Sequence, residues 1–308
     1  MEKWEINQED CAFIDRVLEE ERKKIEDQLS NYCEKQLTGT LGRASAYTIG
    51  AGGKRLRPIL MVATYKSLGG KRKVIYPLSI SVELIHSYSL IHDDLPQLDN
   101  DDYRRGKLTC HKVFGENTAL LTGIDLIGRS VSVIISVGRE SRLDVGIIQR
   151  LTQELMNASG VEGLVGGQVA DILYESREFD ETVLYYIHGH KTAVLFGVST
   201  AMGSILAGSA DDEVEIIRDY GMQLGFAFQI IDDILDETSS FEDMGKVVRK
   251  DHEKGKATFP SLFGVEGSLD KAREHAGKAR EALSCAGLDD RFLSLFPLWI
   301  LNNASIDV

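Results

Sequence analysis

The sequence predicts an all-α fold, a single domain over residues 1–308 built from long antiparallel helices. Three observations predict it. The chain has five prolines in 308 residues. Apolar residues recur at spacings of three and four, which places them on one face of a 3.6-residue helix. No proline-rich linker, low-complexity tract or fixed-period repeat divides the chain.

The helices follow in order. Ile14, Val17, Leu18, Ile25, Leu29 and Tyr32 make the first stripe, and SVELIHSYSLIH forms an apolar run ahead of Asp93. Residues 131–137, VSVIISV, are β-branched and favour a strand by propensity, but burial in a bundle overrides that preference and helix is expected. Further stripes run through Ile147, Ile148, Leu151 and Leu155, through Val214, Ile217, Gly221 and Leu224, and through Ala272, Ala276, Ala279 and Leu283. Thr192 to Ala210 is uncharged and nearly long enough to span a bilayer; diluted by Thr, Ser and Gly, it reads as a buried core helix, and no membrane span is expected. Two polar stretches, residues 97–110 and 238–258, interrupt the helices, and long polar loops in a compact domain are commonly functional.

Charge narrows the partners. With 35 basic and 48 acidic residues the net charge is -13, which argues against nucleic acid and anionic membrane surfaces. An anionic ligand must be held locally, by clustered bases or metal ions. Cys11, Cys33, Cys110 and Cys285 show no C-x-x-C pairing, so free thiols in a reducing, cytoplasmic setting are expected. The opening MEKWEINQEDCAF has no apolar core of a secretory signal.

Two acidic clusters follow apolar runs. In DDLPQLDNDDYRRG, Asp93 and Asp94 end a helix and Asp99 lies beyond Pro96. Six residues of ideal helix turn through about 240°, so Asp93 and Asp99 converge only if the chain loops between them, and Pro96 favours that break. In FQIIDDILDE, Gln229, Asp232 and Asp236 share one helix face. Adjacent carboxylates beside apolar runs repel and lose solvation unless compensated, and all-oxygen donors suit Mg²⁺, which takes one or two carboxylates and completes its shell with water and phosphate. Lys54, Arg55 and Arg57 lie beside two glycines in AGGKRLRP, Arg104 and Arg105 follow the first cluster, and Lys191, Lys246 and Lys256 come later. Arg offers a bidentate fork and Lys a point charge to phosphate. Together these residues point to diphosphates bridged by Mg²⁺.

The ordered segments AGGKRLRPIL, ELIHSYSLIHDDLPQLDNDDYRRGKLTCHKVFGE, GLVGGQVADI, HGHKTAVLF, FAFQIIDDILD and GKATFP resemble the motif series of the trans-isoprenyl diphosphate synthases, over about residues 50–264. The resemblance implies an all-α bundle around a deep central cavity, usually a homodimer, which condenses an allylic diphosphate with isopentenyl diphosphate. It implies that Asp93, Asp99 and Asp232 ligate Mg²⁺, with Asp94 and Asp236 in support. Arg104, Lys191, Thr192, Gln229, Lys246 and Lys256 would contact the allylic diphosphate, with Arg104, Lys191 and Lys246 as catalytic cations on the leaving group. Lys54, Arg57, His86 and Arg105 would hold isopentenyl diphosphate. His92, His111, His188 and His190 are read as supports or surface residues.

Tyr88 lies five residues before Asp93, about one and a half turns, and so projects beneath the first cluster. In the family, bulk there limits chain length. Tyr88 and the longer first motif resemble bacterial-type farnesyl diphosphate synthases, while small Ser89 leaves geranylgeranyl diphosphate open as a product. Departures from the family pattern are Arg249 in the GKxxGKD stretch, Leu108 in place of a proline, Ile124 interrupting a glycine–aspartate pair, and a C-terminus, WILNNASIDV, without a basic tail. Those at Arg249 and the C-terminus motivate a second reading, a catalytically weak regulatory subunit. A terpene cyclase, sharing fold and metals, has no need of the GGKRLRP and Arg105 bases.

Overall fold

A computed structural model describes residues 4–238 and 255–303. Helix α1, Gln8–Gln36, begins at Asn7, whose side chain accepts from the Asp10 amide, and it buries Ile14, Ile25 and Leu29 as its stripe requires. Helices α2, Gly39–Ile49, and α3, Leu56–Ser67, lead to α4, Ile75–Asp93. Buried residues lie on every side of α4, so its side chains face neighbours all round. Helices α5, Cys110–Phe114, α6, Glu116–Glu140, α7, Val145–Ser159, α8, Leu164–Tyr174, and α9, Glu181–His188, follow. Then come a π-helical turn at Gly189–Ala193, α10, Val194–Ala207, α11, Asp211–Thr238, α12, Phe259–Cys285, and α13, Arg291–Asn302.

The bundle is helical as the periodicity requires, and VSVIISV lies inside α6. Helix α10 is buried continuously from Leu195 to Ile205, so the uncharged segment is a core helix packed on α3 and α11. Among the described helices it is α6 that is long and apolar enough to cross a membrane, although it contains Asp125 and Arg129, ion-paired at 2.5 Å. Helix α11 packs between α10 and α12, and α4 packs on α6. Helix α12 is broken at Gly264, whose φ of 70° interrupts the helix.

The polar stretch after α4 is more ordered than the sequence suggests. Strands β1, Tyr103–Arg104, and β2, Lys107–Leu108, pair antiparallel around Arg105 and Gly106. Both turn residues have positive φ, 52° and 72°, the backbone of a tight type I′ hairpin. The carbonyl of Leu108 accepts from Tyr47 at 2.7 Å, a bond that a proline at 108 would also permit.

Candidate active site

A cavity of about 900 Å³ opens among α1, α3, α4, the hairpin, α8, the π-helical turn, α11 and α13. Its walls include Lys54, Arg57, His86, Ser89, Asp93, Arg104, Arg105, Lys191, Thr192, Gln229 and Asp232, so most of the sequence-derived candidates meet there. A chain of net charge -13 thus gathers five basic side chains of that group around one space.

The first acidic cluster is shaped by the break after α4. The Asp99 amide donates to the Asp93 carbonyl at 2.8 Å, which folds the chain back as Pro96 suggested. Asp93 faces the cavity, and burial raises its carboxyl above the usual range. Asp94 turns away. It is buried against the Arg104 guanidinium at 2.6 and 2.7 Å, and burial pushes its carboxyl up to about 6 even though Arg104 opposes the shift. Asp94 therefore holds Arg104 at the cavity wall. Asp99 pairs with Lys256 at 2.7 Å, tying the segment ahead of α12 to the loop after α4.

Next to Asp93 on the cavity wall, the π-helical turn carries Lys191 and Thr192; such turns often accompany functional sites. Gly167 of α8 lets that turn approach, since a Cβ there would come within 2.3 Å of the Lys191 backbone nitrogen. Lys191 donates to Asp171 at 2.5 Å. Burial works against its charge, but Asp93 and Asp171 more than offset this and keep the ammonium protonated. Thr192 donates to Gln229 at 2.7 Å, and Gln229 donates to buried Asp233 at 2.7 Å. Asp233 also accepts from the Phe259 amide at the start of α12 at 3.1 Å. Asp232 lines the cavity one residue away, while Asp236 stands beyond its walls.

The bases around α3 form the remaining wall. Arg55 is almost wholly buried, bonded to Glu83 at 2.5 Å, Glu26 at 2.8 Å and the Ile49 carbonyl at 2.6 Å. That anchor, with a left-handed φ of 52° at Arg55, starts α3 so that Arg57 reaches the cavity. Arg57 stacks over Phe196 at 4.8 Å and lies 3.4 Å from His86, and among the described residues its buried Nε has no hydrogen-bond partner. Burial lowers Arg57 to about 10, and burial with Arg57 alongside keeps His86 neutral. The Arg105 guanidinium donates to the Gly52 carbonyl and lies flat on Gly53, where a Cβ would meet it at 2.7 Å.

The donor set suits a hard cation bridging a bound diphosphate. Among the described residues no three His, Cys, Asp or Glu side chains converge to hold an ion unaided. Mg²⁺ takes few protein ligands and completes its shell with water and phosphate, so Asp93 and Asp232 on one cavity fit it.

Residues 38–285 match the polyprenyl synthetase family. The chain belongs to that family. It is 43% identical over 282 residues to a farnesyl diphosphate synthase of Bacillus subtilis, covering 90% of this chain and 93% of the relative. It is 43% identical over 243 residues to geranylgeranyl pyrophosphate synthase 7 of Arabidopsis thaliana, covering 78% and 69%. Its fold is similar to that of a Helicobacter pylori geranyltransferase solved with magnesium and isoprenyl diphosphate, with TM-score 0.78, 27% identity, and coverage of 96% and 98%. Membership makes the chain a trans-prenyltransferase, an enzyme of isoprenoid biosynthesis.

The structure adds residues that motif reading did not single out. Asp171, Asp233 and Glu83 are buried acids that position Lys191, Gln229 and Arg55. For Asp171 and Glu83 the sequence signal is a lone acid in an apolar run, as in VADIL and SVELIH, whereas Asp233 is the second member of an acidic pair. Tyr88 and Ser89 lie below Asp93, and the Tyr88 hydroxyl donates to the Ser159 carbonyl at 3.2 Å. His188 donates to the Ala257 carbonyl at 3.0 Å, a support as expected. Lys246 and Arg249 lie outside the described residues. Ile124 is exposed on α6, away from the cavity.

Proposed function

We propose that the chain condenses dimethylallyl or geranyl diphosphate with isopentenyl diphosphate to give trans-farnesyl diphosphate and pyrophosphate, with Mg²⁺ as cofactor. The observation that carries the reading is a single cavity in which the acids Asp93 and Asp232 share walls with Lys54, Arg57, Arg104, Arg105 and Lys191.

Mg²⁺ held by Asp93 and Asp232, with Asp99 and Asp236 adjacent, would neutralise charge on the leaving diphosphate. Arg104 and Lys191, held by Asp94 and Asp171, stand ready to stabilise the same anion without reorganising, which is where electrostatic catalysis gains most. Thr192 and Gln229 orient it, and Lys246 and Lys256 belong to the same group by family position. Lys54, Arg57, His86 and Arg105 hold the second diphosphate, and the Nε of Arg57, unpaired among the described residues, supplies a donor. The allylic carbon–oxygen bond breaks, the alkene of isopentenyl diphosphate attacks the allyl cation, and a proton leaves to the departing pyrophosphate. Leu90, Leu164, Leu195 and Phe228 line the cavity and limit the water that would trap the cation. Tyr88 and Ser89 set product length.

The chain is proposed to work as one domain, in the cytoplasm, as a homodimer. Leu120, Leu121 and Ile124 on α6 and Val165, Val169 and Ile172 on α8 are exposed apolar side chains, of the kind a second copy covers. A sedimentation measurement giving a monomer would remove that part of the reading.

The test is a product assay with labelled isopentenyl diphosphate, each allylic starter, and Mg²⁺ or a chelator. A fifteen-carbon product that disappears on chelation supports the reading. A twenty-carbon product keeps the reaction and moves the floor deeper. No product with any starter refutes it in favour of a regulatory subunit.

A further inference from the structure

A second cavity of about 200 Å³ branches from the first, sharing Ser89, Asp93, Leu164 and Lys191 with it. Its remaining walls are Tyr88, His92, Leu98, Val165, Gln168 and Val169. The branch thus starts where the diphosphate end of the allylic substrate would sit and runs down the side of α4.

Two rings one helical turn apart on α4 face this branch, and each is pinned to a different neighbouring helix. Tyr88 is fixed to α7 through the Ser159 carbonyl at 3.2 Å. His92 is fixed to α6, its Nε2 standing 3.0 Å from the Leu120 carbonyl, which the Nε2–H tautomer satisfies. The imidazole fits into a notch at Gly123, where a Cβ would come within 2.1 Å of Nε2. The rings meet edge to face at 5.6 Å. Neither can swing aside without losing a bond to its neighbouring helix, so together they form a rigid partition.

We propose that His92 is a specificity-determining residue, the second half of a two-ring partition that fixes how long a prenyl chain the branch admits. This rests on the prenyl-transfer reading. It gives Gly123 a role as well: the missing side chain on α6 keeps the imidazole out of the branch. Removal of the Tyr88 ring alone leaves His92 in place, because the two are anchored independently.

The experiment compares product lengths of the wild-type chain, His92→Ala, His92→Phe and Gly123→Ala, each purified and checked by thermal melting. The readout is the ratio of the next longer product to the wild-type main product. His92→Ala is expected to raise it about tenfold, the scale on which a pocket discriminates by small amounts of apolar space. His92→Phe retains the ring and is expected to stay near wild type. Gly123→Ala drives the imidazole into the branch and is expected to lower the ratio. Product formation with an unchanged ratio in both His92→Ala and Gly123→Ala overturns the proposal and spares the reaction. Should His92→Ala fold poorly, the Gly123→Ala ratio decides alone. A wild-type chain that makes no product overturns the prenyl-transfer reading and this proposal with it.

Discussion

Asp171→Asn tests whether a buried acid outside the two Asp-rich clusters holds the Lys191 ammonium in place. Lys191 donates to Asp171 at 2.5 Å, with the side chains 23% and 9% exposed. An attraction at that separation is worth about 7 kcal/mol gross at an effective dielectric of about 20, most of it offset by desolvation. Removing one partner of such a buried pair costs about 3–5 kcal/mol, because the other charge is left uncompensated. Asp93 remains beside Lys191, and Asn keeps an acceptor, so a loss near about 3 kcal/mol is expected. For a chain of 308 residues, that corresponds to a fall in Tm of about 5 °C. Lys191 then leans toward Asp93, and a misplacement of about 1 Å at a reacting site lowers kcat about a hundredfold. Calorimetry and steady-state kinetics on the same preparation measure both effects. The double variant Asp171→Leu with Lys191→Met removes both charges and should recover most of the stability while staying inactive. A melting temperature and kcat for Asp171→Asn within error of wild type would refute the reasoning.

Glu83→Gln leaves Arg55, almost fully buried, with Glu26 as its charged partner, and should lower stability by about 3 kcal/mol in a denaturant titration. Gly53→Ala places a Cβ 2.7 Å from the Arg105 guanidinium at a φ of 146°. It should therefore raise KM for isopentenyl diphosphate well above tenfold while changing KM for the allylic substrate far less; equal changes in both would show that Arg105 does not serve one substrate alone. Burial pushes His275 down to about 4, between Gln223 and Tyr185. Its folded pKa lies below the unfolded value near 6.5, so its contribution is complete above about 6.5 and falls away toward pH 4, by up to about 3 kcal/mol. The slope of stability against pH over that window should flatten in His275→Gln.

Much of the site was legible in the sequence because diphosphate and metal chemistry demands particular side chains close together along the chain. The break between Asp93 and Asp99 followed from Pro96, and the shared face of Gln229 and Asp232 from helical spacing. What spacing could not show was which of two adjacent acids faces the cavity. Asp93 and Asp94 are neighbours, yet one lines the space and the other is buried against Arg104. The same division separates Asp232 from Asp233, which joins Gln229 to the start of α12. The hairpin was missed because Arg105-Gly106 adopts left-handed backbone that an arginine seldom takes, in a stretch whose composition reads as loop.

By itself, then, the sequence determined the helical class, the order of motifs and the kinds of groups that line the cavity, since helix periodicity and motif chemistry are local properties of the chain. Tertiary structure decided the assignment of partners: that Asp171 serves Lys191, Glu83 serves Arg55, and His92 meets the Leu120 carbonyl against a notch at Gly123. Those pairings join residues that are distant in sequence or lie on different helices. Each is fixed by the requirement that a buried charge or donor find a partner, and which partner it finds depends on how the helices pack.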